Sequence, residues 1–541
     1  MNEEVRLVLD KKYNTSEYNE STLHIFSNQS TKDIISELFG DKSELNINIF
    51  ESFLKKSKDL FSIIVDTKNY MFCAVDCVAS RPIYYKKKND TLFISDNPRN
   101  IRDKDEYIDT SSSAFNEFYM SGFVCGTNTL ISNIKQLQAG ELLFFDKKTR
   151  AVKLKRYFKY LPEGNSDSKT NLFNSLNQIC NEIFQKIIDR SKNEQIVVPL
   201  SGGYDSRFIL AKLCELGAKN LITFSYGNKK SHELKKAKRY AEMLNVKWIH
   251  INPKRNDLKF FFSDSDSIDY FNFSDGLRTI PTLSDFYSIK LLLSKKIINE
   301  KSIIINGQSG DFTTGNHIPS EIYKNNLNID DVVNIIYKRH FSVFSHKKNE
   351  NIDFTIKNKI KSQLEDLNNG PDIETNFCSL YESWEWQERQ SKYVVNGQRV
   401  YEYFDLRWEL PLWEPTFCRY WNNISNELRF KQILYKQYLS WYDYRKVFST
   451  NLPDIKPRTF PGRMGAIIVL IDKFTAVLPK RFRLIKYLSY FSHYSFAFKY
   501  FSLKEFIFQI PYINCPPQGR GVMGMIINKW KVLNKQLLSS P

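Results

Sequence analysis

Two short stretches of this chain concentrate hydroxyls, glycines and single carboxylates. Between positions 195 and 210 it reads Gln195-Ile-Val-Val-Pro-Leu-Ser-Gly-Gly-Tyr-Asp-Ser-Arg-Phe-Ile-Leu210. The β-branched run Ile196 to Val198 predicts a buried strand, and the apolar period from Phe208 to Leu216 predicts a helix. Between them lie Ser201, Gly202, Gly203, Asp205 and Ser206. A strand, a glycine turn and a helix N-terminus make an anion site, because glycine lets the backbone approach and the unpaired N–H groups point at the ligand. Ser201 and Ser206 add donors, and Asp205 can hold Mg2+ against phosphate oxygens. The competing reading is an ordinary serine-capped turn. The full Ser-Gly-Gly-x-Asp-Ser after an apolar strand favours a nucleotide.

The second stretch, Ser302-Ile-Ile-Ile-Asn-Gly-Gln-Ser-Gly-Asp-Phe-Thr-Thr-Gly-Asn316, again runs an apolar strand into a glycine-rich loop with one carboxylate, Asp311. Alone it is a common turn. Together the two stretches resemble the pyrophosphate loop of ATP-pyrophosphatases and the second loop of the asparagine-synthetase family, Gly-Glu-Gly-(Ser/Ala)-Asp-Glu. A third segment, Arg399 to Glu414, resembles a diverged form of that family's Glu-x-Arg-x-Pro-Phe-Leu-Asp, and Leu428 to Lys436 resembles its Lys-x-x-Leu-Arg.

The resemblance implies ATP and Mg2+ as cofactors and an AMP-forming ligase that adenylates a carboxylate and joins it to an amine or ammonia. Ser201, Gly202, Gly203, Asp205 and Ser206 would cradle pyrophosphate, with Gly307 in the facing loop. Leu200 and Phe224 match nucleotide-contact positions, Asp205 and Asp311 would hold the metal, and Lys431 would stabilise the pentavalent phosphoryl group. Glu233 to Ala237 matches a Glu-x-x-x-Ala helix in which the glutamate is structural. Two family acids are absent, with Gln308 and Phe312 in their places. The first serves the acyl-acceptor side, so aspartate itself is put in doubt while the ATP chemistry is not. A non-catalytic scaffold is the reading from another class. Gln308 and Phe312 favour it, and the retention of Asp205, Asp311 and Lys431 opposes it.

The elements that must position these residues predict an α/β protein. Residues 1–160 read as short alternating strands, at Phe61–Asp66, Tyr70–Asp76, Ile83–Tyr85, Thr91–Ser95 and Glu141–Asp146. They form an antiparallel β-rich domain that resembles a degenerate class II glutamine amidotransferase, an Ntn-hydrolase-like remnant. Asp76 to Tyr85 resembles that family's Arg-Asp-x-x-Gly-x-x-Pro-Leu-Tyr-Tyr. The nucleophilic cysteine is missing, since Asn2 stands after Met1, and the segment before Phe61 is expected to be too short for the usual front half. No glutaminase is therefore expected, and nitrogen would come from ammonia, a substrate amine or a partner amidotransferase. Residues 168–450 alternate helix and strand, with further strands at Asn220–Tyr226 and Lys247–Asn252. They predict a parallel-sheet ATP-pyrophosphatase domain with a helical C-terminal part, its ligands at the strands' C-terminal ends.

Eight cysteines are scattered without a C-x-x-C pair, which argues against a zinc or disulfide scaffold and fits a reducing cytoplasm. No run of roughly 18 apolar residues occurs, and no signal-peptide pattern opens the chain. Net charge is +18, and residues 454–541 hold 14 Lys/Arg against 3 Asp/Glu. Residues 451–541 therefore read as a basic, aromatic-rich helical extension. One reading of Leu478 to Phe501 is a helix resting on anionic lipid at the inner face of the membrane, and the other is a helical cap packed on the domain before it. No nucleic-acid module is recognisable in the basic tail.

Overall fold

The computed structural model describes residues 4–40, 45–162, 164, 169–227, 229, 231–258, 261–323, 327–344, 350–368, 376–450, 500 and 520–538. The N-terminal part is built on two sheets. Its strands are β1 (Val5–Val8), β2 (Asn14–Tyr18), β3 (Ser21–Ser27), β4 (Phe61–Asp66), β5 (Tyr70–Val75), β6 (Tyr84–Lys88), β7 (Thr91–Ser95), β8 (Lys135–Gln136), β9 (Glu141–Asp146) and β10 (Val152–Arg156). Six form one sheet in the order β10-β9-β5-β4-β3-β2, antiparallel throughout, and four form another, β1-β7-β6-β8.

Alternation along the strands explains the layering. In β4 and β5, Ile63, Val65, Phe72 and Ala74 face the helices Thr31–Phe39 and Ile47–Lys56. Ile64, Met71, Cys73 and Val75 face the other way, into a core shared with Tyr84, Leu92 and Ile94 of the smaller sheet. The segment before Phe61 holds three strands and both helices, more structure than its length suggested. Asp76, in the amidotransferase-like motif, is an organising hub. It is buried and accepts from the backbone N–H of Phe61 (2.9 Å), Val78 (2.8 Å) and Ser80 (3.2 Å).

The second part is a five-stranded sheet, parallel throughout, made of β11 (Ile196–Pro199), β12 (Leu221–Tyr226), β13 (Lys247–Ile251), β14 (Ile303–Ile305) and β15 (Arg407–Glu409). The order β13-β12-β11-β14-β15 runs outward from β11 in both directions, so the winding reverses between β11 and β14. Side chains of β11 and β14 go to both faces. Ile196, Val198, Ile303 and Ile305 enter one core, and Val197 and Ile304 enter the other. Burial on both sides is what a parallel sheet with helical crossovers requires. A reversal of winding opens a crevice beyond the strands' C-terminal ends, and the two glycine loops leave from there.

The C-terminal helix Arg520–Leu533 docks back on this body. Trp530 is buried, its ring tilted against that of Phe118 with centres 4.6 Å apart, and it donates from Nε1 to Asp275 at 2.8 Å. Of the segment Leu478 to Phe501, Tyr500 alone falls within the described residues, and it is buried. The lipid-surface reading of that segment otherwise lies outside them. Among the described residues no helix is long and apolar enough to cross a membrane.

Candidate functional site

The first loop forms because the sequence stops a strand and starts a helix within a few residues. The helix Tyr204–Glu215 begins with Gly203 at its cap and no side-chain cap, leaving its first N–H groups to the crevice. The two serines pre-organise the turn. Ser206 Oγ accepts from Ser201 N–H at 3.0 Å, the two hydroxyls lie 3.0 Å apart, and Ser201 Oγ accepts from Gly203 N–H at 3.1 Å. Gly202 is required for close approach, since a Cβ there would sit 3.2 Å from the Glu233 backbone. That contact gives Glu233 its place behind the loop.

The second loop closes on the first. A Cβ at Gly307 would lie 2.9 Å from Ser206 N, and one at Gly310 would lie 2.7 Å from Asp205 Cγ and 2.5 Å from Leu412 Cδ1. Gly310→Ala therefore displaces the Asp205 carboxyl. We expect it to weaken Mg·ATP binding about 10- to 100-fold, as measured by calorimetry, because repositioning a metal-binding group typically costs that much.

Between the loops is a cleft of about 460 Å³ lined by Leu200, Ser201, Gly203, Asp205, Ser206, Phe224 and Gly307, along with Gln308. These sequence-predicted residues converge. Gly202 stands behind the loop, and Asp311 and Lys431 are not in the lining. Asp311 nonetheless sits close enough to Asp205 for its charge to act on it. Lys431 is exposed in a turn of positive φ with its ammonium 5.0 Å from the Phe430 ring centre. Its neighbour Gln432 donates to Thr314 Oγ1 at 2.7 Å, which ties that turn to the second loop. A larger and more open groove of about 1330 Å³ lies elsewhere, lined by Asn28, Asp59, Lys186 and Arg190 among others, and it holds no residue of the two glycine loops.

Among the described residues the nucleotide-sized cleft is lined by the acids Asp205, Glu233 and Asp285, and by no lysine or arginine. Asp205 Oδ1 is buried with no hydrogen-bond partner among the described residues. Burial first, and the Asp311 charge second, push this carboxyl from 3.8 up to about 8, against a smaller lowering by the Tyr435 hydroxyl. An orphaned carboxylate oxygen beside a second carboxylate fits a divalent cation, which would satisfy the oxygen and relieve the repulsion.

The sign of the linkage follows. The folded protein keeps a proton on Asp205 between about pH 4 and pH 8 that the unfolded chain has released. Without metal this group thus costs stability as pH rises through that window. Mg2+ should reverse the trend, raising the melting temperature more at pH 8 than at pH 6, with both effects absent in Asp205→Asn by scanning calorimetry. An Mg2+ shift that is equal at the two pH values would contradict this.

Asp311 is held by a chain of polar groups that the sequence did not reveal. His317 Nε2 lies 3.2 Å from Asp311 Oδ2, and His317 Nδ1 lies 2.5 Å from Glu385 Oε1. Burial alone would keep His317 neutral, but Glu385 and Asp311 outweigh it and push the imidazole up to about 10. The same His317 holds the half-exposed Asp311 carboxyl below its usual range. Gln390 donates to Glu385 at 3.0 Å and accepts from Ser309 Oγ at 2.8 Å, so this helix grips the second loop.

The two departures from the family pattern have physical explanations. Phe312 is fully buried, its ring centre 5.9 Å from that of Trp386 and 5.6 Å from that of Tyr160, so the position has become core. Gln308 lies against Gly397, where a Cβ would meet its Oε1 at 2.9 Å, and it accepts from Gln398. A second missed cluster reaches the cleft through Asp285 and Asn306. Asp285 accepts from Tyr401 Oη at 2.5 Å, and Tyr401 accepts from Asn306 at 2.8 Å. Burial pushes Asp285 up, against a lowering by the hydroxyls of Tyr401 and Tyr226.

Residues 195–260 match the family model of the queuosine biosynthesis protein QueC, a PP-loop ATP-pyrophosphatase family, and this segment holds the first loop and β11 to β13. No curated protein sequence matches the chain. Among solved structures, a glutamine phosphoribosylpyrophosphate amidotransferase from B. subtilis, complexed with ADP and GMP, is similar at 9% identity and a TM-score of 0.19. That match covers 45% of this chain and 73% of that one. A structure described as the allosteric regulatory enzyme of purine biosynthesis is similar at 9% identity and a TM-score of 0.18, covering 67% and 74%. Likenesses this slight carry no conclusion. The family match covers the first loop, which the fold sets at the end of β11 where the winding reverses.

Proposed function

We propose that the protein is an ATP-dependent, AMP-forming ligase that adenylates a carboxylate and joins it to an amine or ammonia. The observation that carries this reading is the buried Oδ1 of Asp205, without a hydrogen-bond partner among the described residues, packed against the Asp311 loop at a cleft whose described lining holds no lysine or arginine. Bound Mg2+ would neutralise the phosphates there. The chain's own residues do the rest. The backbone N–H groups of the first loop and the hydroxyls of Ser201 and Ser206 bind and orient the pyrophosphate end, holding the α-phosphoryl for in-line attack. Leu200 and Phe224 flank the base. Lys431 enters as the cation for the developing phosphoryl charge if the turn at 430–432 moves toward the cleft.

The test is release of AMP and pyrophosphate from Mg·ATP on incubation with a panel of carboxylates, hydroxylamine serving as the trapping amine. AMP formation dependent on one carboxylate class supports the reading. ADP and phosphate as the products would refute it.

The scaffold alternative is opposed by the convergence of Ser201, Gly203, Asp205, Ser206 and Gly307 on one cleft. Glutaminase activity is not expected. Of the seven cysteines described, all but Cys214 are buried. Burial raises the thiols of Cys73, Cys77 and Cys125, and Cys214 is pushed up to about 11. Glutamate release from glutamine by the purified chain would overturn this expectation.

A further inference from the structure

A second cavity is lined by Asn316 and His317, which follow Asp311 in the chain, and shares no lining residue with the nucleotide cleft. It measures about 240 Å³, and its walls include Asn316, His317, Arg339, His340, Glu385 and Arg389. Ser121 and Phe123 from the N-terminal part and Met523 from the C-terminal helix complete it, so three regions of the chain meet there. Such a junction is a common place for a small-molecule site.

The charges around it are one-sided. Among the described residues Glu385 is the one carboxylate in the lining, with its Oε1 committed and its Oε2 3.9 Å from His340 Nε2. Its Oε1 takes His317 Nδ1 at 2.5 Å, Gln390 Nε2 at 3.0 Å and Arg389 Nη1 at 3.3 Å. Against it stand two guanidinium groups and the imidazole of His317. Arg339 lies 5.8 Å from the Tyr381 ring centre, and its Nη2 donates to His317 O at 3.5 Å. Arg389 uses one contact to Glu385 and a ring contact at 5.7 Å to Tyr393. A guanidinium carries five N–H donors, so Arg389 keeps donors for a ligand. Positive charge enclosed by low-dielectric walls favours an anion, and a pair of arginines suits the planar oxygens of carboxylate or phosphate.

The backbone at this wall is unusual as well. Trp386–Val394 is a π-helical stretch of nine residues. Such turns occur mainly as short interruptions, often at functional sites, because the wider winding re-aims side chains. Here Arg389 faces the cavity while its neighbour Gln390 holds Ser309 of the second loop.

We propose that this cavity binds a small anionic group, carboxylate or phosphate, belonging to the substrate other than ATP, and anchors it beside His317 through Arg389 and Arg339. The inference rests on the ligase reading for the word substrate, and on the cavity alone for the word anion. A ligand touching His317 is one side chain away from Asp311, so occupancy would be felt at that carboxylate.

The probes are inorganic phosphate and succinate, titrated calorimetrically into the full chain with saturating Mg2+ and α,β-methylene-ATP. The nucleotide analogue keeps phosphate out of the first loop. We expect at least one probe to bind, its affinity to fall at least tenfold in Arg389→Gln and in Arg339→Gln, and Arg389→Lys to recover part of it. Affinity for the nucleotide analogue should be the same in all three variants and in the wild type. Binding of phosphate alone or succinate alone tells which oxyanion the site prefers. Absence of binding by both probes, or equal binding by wild type and both Gln variants, overturns the proposal. If the analogue itself fails to bind, the ATP reading falls, and the comparison of Arg389→Gln with wild type still decides the anion site.

Discussion

Asp205→Ala and Asp311→Ala should each lower carboxylate-dependent AMP formation roughly a hundredfold or more, while circular dichroism and the melting temperature without Mg2+ stay near those of wild type. The asymmetry between activity and stability comes from where these carboxyls stand. Asp205 lines the cleft, and its buried Oδ1 makes no hydrogen bond, so truncation removes a cost and opens no apolar cavity. Metal-free Asp205→Ala should even be slightly more stable than wild type at pH 8, since a carboxyl pushed up to about 8 is disfavoured there. Asp311 differs. Its Oδ1 accepts from Phe312 N–H at 2.9 Å and its Oδ2 meets His317, so Asp311→Asn is the gentler probe of the metal role. Wild-type turnover in either alanine variant would show that the two loops do not share a metal.

Arg429→Leu should destabilise the protein by about 3–5 kcal/mol, the usual cost of leaving a buried charge alone. Arg429 and Glu382 are both 0% exposed and meet through two contacts of 2.6 and 2.8 Å. Arg429 also donates to Ile424 O at 3.0 Å, and its own carbonyl presses on Gly315, whose φ of +92° permits the approach. The pair thus pins the segment before Lys431 against the second loop. The double variant Arg429→Leu/Glu382→Leu should recover most of the loss, because a packed apolar pair needs no desolvation of charge. Urea denaturation followed by tryptophan fluorescence measures both. A double variant no better than the single would mean that Arg429 acts through Ile424 and Gly315 instead.

Local signals carried much of this into view from the residues alone. Strands β4, β7 and β9 have the boundaries that alternation and turn residues predict, and Ser231 caps its helix by accepting from Leu234 N–H at 3.3 Å. Such features depend on neighbours in sequence. The crevice was legible for the same reason, since a strand, a glycine turn and a helix are contiguous.

The failures involve distant partners. β15 is three residues long and reads as nothing without β14 beside it. β1 pairs with β7 across more than eighty residues, and its own pattern is faint. Glu385 and His317 are separated by 68 positions, and neither looks special until the fold sets them 2.5 Å apart. Phe312 looked like a lost acid, and its burial against Trp386 shows a position given over to packing.

The central claim is a divalent cation shared by Asp205 and Asp311 on the phosphates of ATP. A crystal structure of the full chain with Mg2+ and α,β-methylene-ATP tests it most directly. The expected result is a terminal pyrophosphate unit on Ser201, Gly203 and Ser206, the base beside Leu200 and Phe224, and metal density touching a carboxylate oxygen of Asp205 and of Asp311. Nucleotide seated elsewhere, or metal held without Asp205, would contradict it.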